Sequence, residues 1–333
     1  MQHGGDLSIA IERFGGAPED WLDLSTGINP YPYPLPEDLT ASSWTRLPDR
    51  SSLDRLLTAA RKAYRVPDPV GLVAAPGTQA LISLLPSLLP AGETALVAPT
   101  YGSHKEVWLR DGLPLSEGAS IYTLPATVKN VLVVNPNNPD GRLTEAASLL
   151  EVARTLGSRG GYLVIDEAFA DVMPGASVLP HLHDEPVLVL RSFGKFFGLA
   201  GLRLGFLAAP AEICTRAAAR LESWAVSGPA LEIGHAALSD LAWQEAMQRQ
   251  LSDKMADLTL VLAENGLGVF GGTPLYALAA ARNAADLHDA LARRQIWTRI
   301  FDYAPTWIRI GLPGSPESLA RLSGALAEAM KEI

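Results

Sequence analysis

Lys195 and Asp166 are the two residues of this 333-residue chain whose types and settings point most directly to chemistry. Lys195 stands in SFGKFFGLAGLRLGF (192–206), a stretch of glycine, aromatic and aliphatic residues whose one other charge is Arg203. Such a segment should be largely buried, and a buried cation needs a partner or a task. A lysine in apolar surroundings gives up its proton more readily, which frees its amine to attack a carbonyl. Asp166 closes the apolar run of YLVIDEAFADV (162–172), where an unpaired carboxylate would be costly. Alone, that aspartate reads equally as a helix cap or a loop ion pair. Beside the lysine it can hold a protonated ring nitrogen. A Schiff-base lysine and a pyridinium partner are the two protein contributions that pyridoxal-phosphate chemistry requires.

The elements that must position these residues can be read from the apolar runs. GLVAAPG (71–77), TALVAP (94–99), NVLVVNP (130–136), GYLVIDEAF (161–169), PVLVLRSF (186–193) and RLGFLAAP (203–210) are strand candidates. Their near-continuous Val, Leu and Ile content fits strands covered on both faces. TQALISLLPSLL and the segment 144–160, which opens on Thr144 and closes on glycine, have helical spacing between them. This alternation predicts an α/β domain with a mostly parallel sheet. From about residue 211 the pattern turns to long helices, PAEICTRAAARLESWAV and the run from Ala230 to Gly266. Short strands in GVFGGTPLYALAAA and TWIRIGLP then flank a helix at NAADLHDALARRQ. That is a second, α+β unit. The expected division is 1–36 packing with the small domain, 37–215 as the large domain and 216–333 as the small one.

Ligand sites in parallel α/β sheets form at the carboxyl ends of strands. Read in order, those ends carry Gly77-Thr78-Gln79, Tyr101, Asn135 to Gly141, Asp166, then Ser192 and Lys195. APGTQALI (75–82) is a glycine turn entering a helix, whose free N–H groups and dipole favour a phosphate. Thr78 and Ser192 can add hydroxyls, and Arg203 a bidentate guanidinium. Gly77 alone would also suit an ordinary strand-to-helix turn. Asn138, in NPNNPDG (135–141), could donate to the cofactor's phenolate oxygen or merely belong to a proline-braced turn. Tyr101 in PTYGSH could stack on a pyridine ring or be a core tyrosine.

Composition narrows the remaining classes. Hydrophobic residues make up 48% and charged ones 19%, an ordinary globular balance. The net charge of −9 argues against a nucleic-acid partner. The single cysteine, Cys214, excludes an internal disulfide framework and a cysteine-based zinc site, and no metal is expected. MQHGGDLSIAIERFGG lacks the pattern of a signal peptide, and ALISLLPSLLPAG is too short and proline-broken to span a bilayer. A cytoplasmic protein without a membrane partner is the expectation.

NPNNPDG, VIDEAF and SFGKFFGLAGLRLGF, in that order and spacing, closely resemble the class I/II aminotransferase family of fold-type I pyridoxal-phosphate enzymes. With PGTQ before them and WIRIGLP (307–313) near the end, the resemblance covers nearly the whole chain. It implies a large parallel-sheet domain, a small α+β domain, pyridoxal 5′-phosphate as cofactor and a homodimer with the site near its interface. It further implies that Lys195 bonds the cofactor, Asp166 partners its ring nitrogen, Asn138 its O3′ and Tyr101 its ring. Gly77, Thr78, Ser192 and Arg203 fall on phosphate-binding positions, and Arg309 matches the arginine that receives the substrate's α-carboxylate.

Within that family, HGGDLSIAIERFG (3–15), LDLSTGINPYPYP (22–34), RLPD (46–49), DEAFADV and SWAVSGPA (223–230) resemble a decarboxylating branch. That branch converts L-threonine O-3-phosphate to (R)-1-amino-2-propanol O-2-phosphate for cobalamin synthesis. Its substrate phosphate is expected at His3, the backbone around Gly4 and Gly5, Asn29 and Arg299, with Asn138 and Arg309 also facing substrate. His3 could instead be a terminal residue without a role, and Arg299 a solvated charge. A histidinol-phosphate-type aminotransferase and a non-catalytic cofactor-binding regulatory module are the other readings. Two departures stand out. Phe169 replaces a tyrosine whose hydroxyl lies near O3′ in many relatives. Leu47 replaces a tyrosine that relatives use to reach the neighbouring subunit's cofactor phosphate.

Overall fold

The apolar runs of the middle of the sequence become one sheet in the computed structural model, which describes residues 4–37, 39, 41–118, 120–123 and 125–332. The chain divides into two units. The larger holds Pro32–Asn138 and Arg142–Glu245; the smaller holds the chain up to Tyr31, Pro139–Gly141 and everything from Ala246 onward.

In the larger unit seven strands form the sheet: β1 (Val70–Ala75), β2 (Glu93–Val97), β3 (Leu115–Gly118), β4 (Val128–Val134), β5 (Leu163–Asp166), β6 (Val187–Ser192) and β7 (Gly205–Pro210). Their order is β1-β7-β6-β5-β4-β2-β3. All neighbours are parallel except the two pairs made by β7, which runs against β1 and β6. Helix Thr78–Leu88 sends Leu81, Ile82 and Leu85 into the core beside Leu132, Val164, Leu188 and Leu207. Each such leucine is fully buried, a gain of roughly 1.5–3 kcal/mol over exposure.

β3 is absent from the strand candidates because LSEG carries one apolar residue and its last two positions are exposed. The run expected as one helix after Ala230 is two, Gly228–Ser239 and Leu241–Glu264. Asp240 between them accepts the Trp243 N–H at 3.0 Å and so caps the second. Helix Ala211–Leu221 stops at Glu222, which with Trp224 holds a positive φ. That helix contributes Ile213, Cys214 and Ala217 to the large core, and helix Gly228–Ser239 packs on helix Arg50–Ala63, so this unit runs on to Glu245.

The smaller unit holds a four-stranded antiparallel sheet: β8 (Gly268–Thr273), β9 (Tyr276–Ala280), β10 (Arg299–Phe301) and β11 (Ala304–Gly311), in the order β10-β11-β9-β8. Helices Ala284–Ala292 and Pro316–Glu332 belong to it, the first capped by the Asn283 side chain. The N-terminal stretch joins this unit through Leu22–Asp23, which pair in parallel with Ile296–Trp297. Trp21 meets Trp297 edge-on at 6.0 Å, and Phe14 packs on both. Among the described residues no helix is long and apolar enough to cross a membrane.

Candidate active site

Gly77, Thr78, Gln79, Tyr101, Asn138, Asp166, Ser192, Lys195 and Arg203 all line one cavity of the larger unit. The sheet explains the gathering. β1, β4, β5 and β6 are parallel and end on the same side, and β7, running the other way, begins there. Arg203, two residues before β7, is thereby brought to the ends of the other strands.

Close packing fixes one corner of the cavity. Gly77 has φ +86°, and a Cβ there would lie 2.6 Å from Arg203 Nη2. A Cβ on Gly205 would lie 2.7 Å from the Thr78 nitrogen. Only glycines let the arginine settle against the first turn of helix Thr78–Leu88. A guanidinium set against the positive end of a helix is unfavourable until an anion joins them.

Asp166 is buried at the end of β5. Its Oδ1 accepts the Ala168 N–H at 3.0 Å, and its Oδ2 lies 2.8 Å from His104 Nε2. A carboxylate only accepts, so Nε2 carries the proton. His104, buried, comes from helix Gly102–Arg110, one turn after Tyr101. It escapes a reading of the sequence alone, although it lies in PTYGSH; its spacing of three from Tyr101 was the available signal. Burial raises the Tyr101 phenol above its ordinary range, leaving a neutral ring whose hydroxyl is 3.4 Å from Gln79 Oε1.

The asparagine loop divides its labour. Asn135 bonds both backbone groups of Thr144, at 2.7 and 3.1 Å. Asn137 accepts the Thr100 hydroxyl and donates to the Pro99 carbonyl. These two brace the turn, and Asn138 lines the cavity. Lys195 follows Ser192 in the short helix Phe193–Phe196, with its Nζ 5.9 Å from the Phe169 ring centroid. A half-buried amine, a buried carboxylate and a cationic cradle fit pyridoxal 5′-phosphate: an aldehyde, a basic ring nitrogen and a dianion.

Arg309 and Arg299 lie in the smaller unit. Arg309 on β11 is buried, donates from Nη2 to the Ser25 carbonyl at 2.6 Å and sits 5.0 Å from the Tyr276 ring centroid. Arg299 on β10 is its cross-strand partner, so the two guanidinium side chains leave the same face of the sheet. Burial pushes the nearby Tyr303 phenol up to about 12, against the pull of both arginines. Arg299 also lines a small polar cavity with Gly4, Ser25 and His288. Gly4 is tightly placed there, since a Cβ would lie 2.5 Å from the Ser25 carbonyl oxygen. Asn29 is buried, and its Oδ1 accepts the Tyr31 N–H at 2.8 Å. His3 lies outside the described residues.

The family model for aminotransferase class I and II matches residues 19–326. A threonine-phosphate decarboxylase of a Sinorhizobium species is 44% identical over 98% of this chain and 97% of its own length. One from Pseudomonas aeruginosa is 39% identical over the same shares. Among solved structures, the histidinol-phosphate aminotransferase of Clostridium acetobutylicum superposes with a TM-score of 0.83 at 20% identity, covering 93% of this chain and 99% of that one. With the lysine, the aspartate and the glycine–arginine corner gathered at one end of a mostly parallel sheet, the chain belongs to the class I and II aminotransferase family.

Proposed function

We propose that this protein is a pyridoxal-phosphate-dependent decarboxylase that converts L-threonine O-3-phosphate to carbon dioxide and (R)-1-amino-2-propanol O-2-phosphate. The names of the two relatives support the reading, and the observation that carries it is the register of Arg299 opposite Arg309. Two guanidinium side chains on one face of a sheet suit an anionic substrate. Threonine phosphate brings two on one small molecule, a carboxylate and a phosphate. Histidinol phosphate brings only the second.

When bound, the cofactor supplies an electron sink for the bond broken at the substrate's Cα. Lys195 would hold it covalently, and Gly77, Thr78, Ser192 and Arg203 would hold its phosphate. Asp166 keeps a proton on the ring nitrogen, and His104, donating to Oδ2, holds that carboxylate in its acceptor role. Asn138 serves the phenolate oxygen. Arg309 takes the α-carboxylate; Arg299, Asn29 and the backbone at Gly4 take the substrate phosphate. Two anchors orient the substrate about Cα and so choose which of its bonds is aligned to break. Once the substrate's amine has displaced it, Lys195 is free and, in its ammonium form, would give Cα the proton that replaces the carboxylate lost as carbon dioxide.

A homodimer in the cytoplasm completes the proposal. Trp44, Leu47 and Trp224, each more than 60% exposed in the larger unit, support a buried partner surface. Light scattering should give twice the 35.5 kDa chain mass. The activity test uses purified protein loaded with cofactor and threonine phosphate, with no keto acid present. Equimolar carbon dioxide and amino product are expected; turnover that requires 2-oxoglutarate and releases no carbon dioxide would overturn the proposal.

A further inference from the structure

A buried cluster of charge that the chemistry above does not use lies next to the candidate site in the larger unit. Side chains alternate along a strand. Asp166 and Ser192 line the cavity, and their neighbours Glu167 and Arg191 turn to the other face of the sheet and meet there. Arg191 Nη1 donates to Glu167 Oε2 at 2.8 Å, Nη2 donates to Asp171, and Cζ lies 4.4 Å from the Tyr64 ring centroid. Glu167 also accepts the Ser177 hydroxyl at 2.6 Å and the Val178 N–H at 2.7 Å. Its own N–H donates to the Leu190 carbonyl at 2.9 Å.

Arg191 and Glu167 are fully enclosed. Burying such a triad costs several kcal/mol per ion in desolvation, and apolar residues of similar volume often serve stability as well or better. Stability therefore does not account for it. Its place in the chain does: one member follows the ring-nitrogen aspartate, and another precedes the phosphate-side serine.

We propose that Arg191 is a positioning residue for the cofactor. Clamped between Glu167 and Asp171, it locks the ends of β5 and β6 together, and so sets the carboxylate of Asp166 and the hydroxyl of Ser192. The proposal rests on the cofactor reading of those two residues.

The test compares Arg191→Met, Arg191→Lys and Glu167→Gln with the parent. Thermal melting of each cofactor-stripped protein reports the fold. Titration with pyridoxal 5′-phosphate reports affinity, and the absorbance of the bound cofactor against pH reports its surroundings. Arg191→Met is expected to lose ten-fold or more in cofactor affinity and to shift the pH midpoint of the absorbance. Arg191→Lys, which keeps the charge, and Glu167→Gln, which keeps the shape, should lose less. A folded Arg191→Met protein with parental affinity and pH midpoint overturns the proposal. If that variant does not fold, the same two readouts on Arg191→Lys decide: parental values overturn it. A parent that takes up no cofactor overturns the underlying reading, not the clamp alone.

Discussion

Charge is handled in opposite ways in the two units. In the larger one each buried charge has a fixed protein partner: Asp166 has His104, and Arg191 has Glu167 and Asp171. In the smaller one two like charges, Arg299 and Arg309, stand opposite each other in register, and Arg309 also donates to the Ser25 carbonyl. Satisfied charges hold geometry for a resident group, because nothing has to rearrange when it binds. On the proposed function, the difference assigns the cofactor to the larger unit and the substrate's anionic groups to the smaller.

The largest effect should come from Lys195→Ala, which removes the covalent hold and the proton donor together; turnover should fall by on the order of 10⁴-fold in a steady-state assay. Next is Arg309→Gln. Truncating a buried, charge-assisted contact costs roughly 2–5 kcal/mol, so kcat/KM should drop by about 10²–10³-fold while the cofactor stays bound. Equal loss of cofactor absorbance in this variant would break the division between the units. His104→Asn should lower kcat by about ten-fold, as for a residue orienting another ligand, with little change in KM. A variant that raised KM instead would place His104 at the substrate.

The remaining effect concerns stability, not turnover. Burial lowers His288 from 6.5 to about 4. Between those values the unfolded chain binds a proton that the folded chain refuses, so stability falls as pH drops through this window. The loss amounts to about 3 kcal/mol once complete. Urea denaturation at pH 7 and pH 4 should show this slope in the parent and not in His288→Gln.

Legibility in the sequence followed the same line. Thr78, Asn138, Asp166 and Lys195 all follow or close an apolar run, so strand ends alone brought them together. β3 stayed hidden because an edge strand needs little hydrophobicity. The His104–Asp166 bond spans 62 residues and exists only once the helix after β2 packs beside β5. Arg309 announced itself between apolar neighbours. Its pairing with Arg299 did not, since the register of a three-residue strand depends on the hairpin at Phe301–Ala304, where the pairing shifts. Local pattern revealed positions, and register revealed partners.

The most direct measurement is borohydride reduction of the cofactor-loaded protein followed by peptide mapping. A single pyridoxyl adduct on Lys195, absent after Lys195→Ala, is the predicted result. An adduct on any other lysine, or none on a protein that still turns over substrate, would contradict the account.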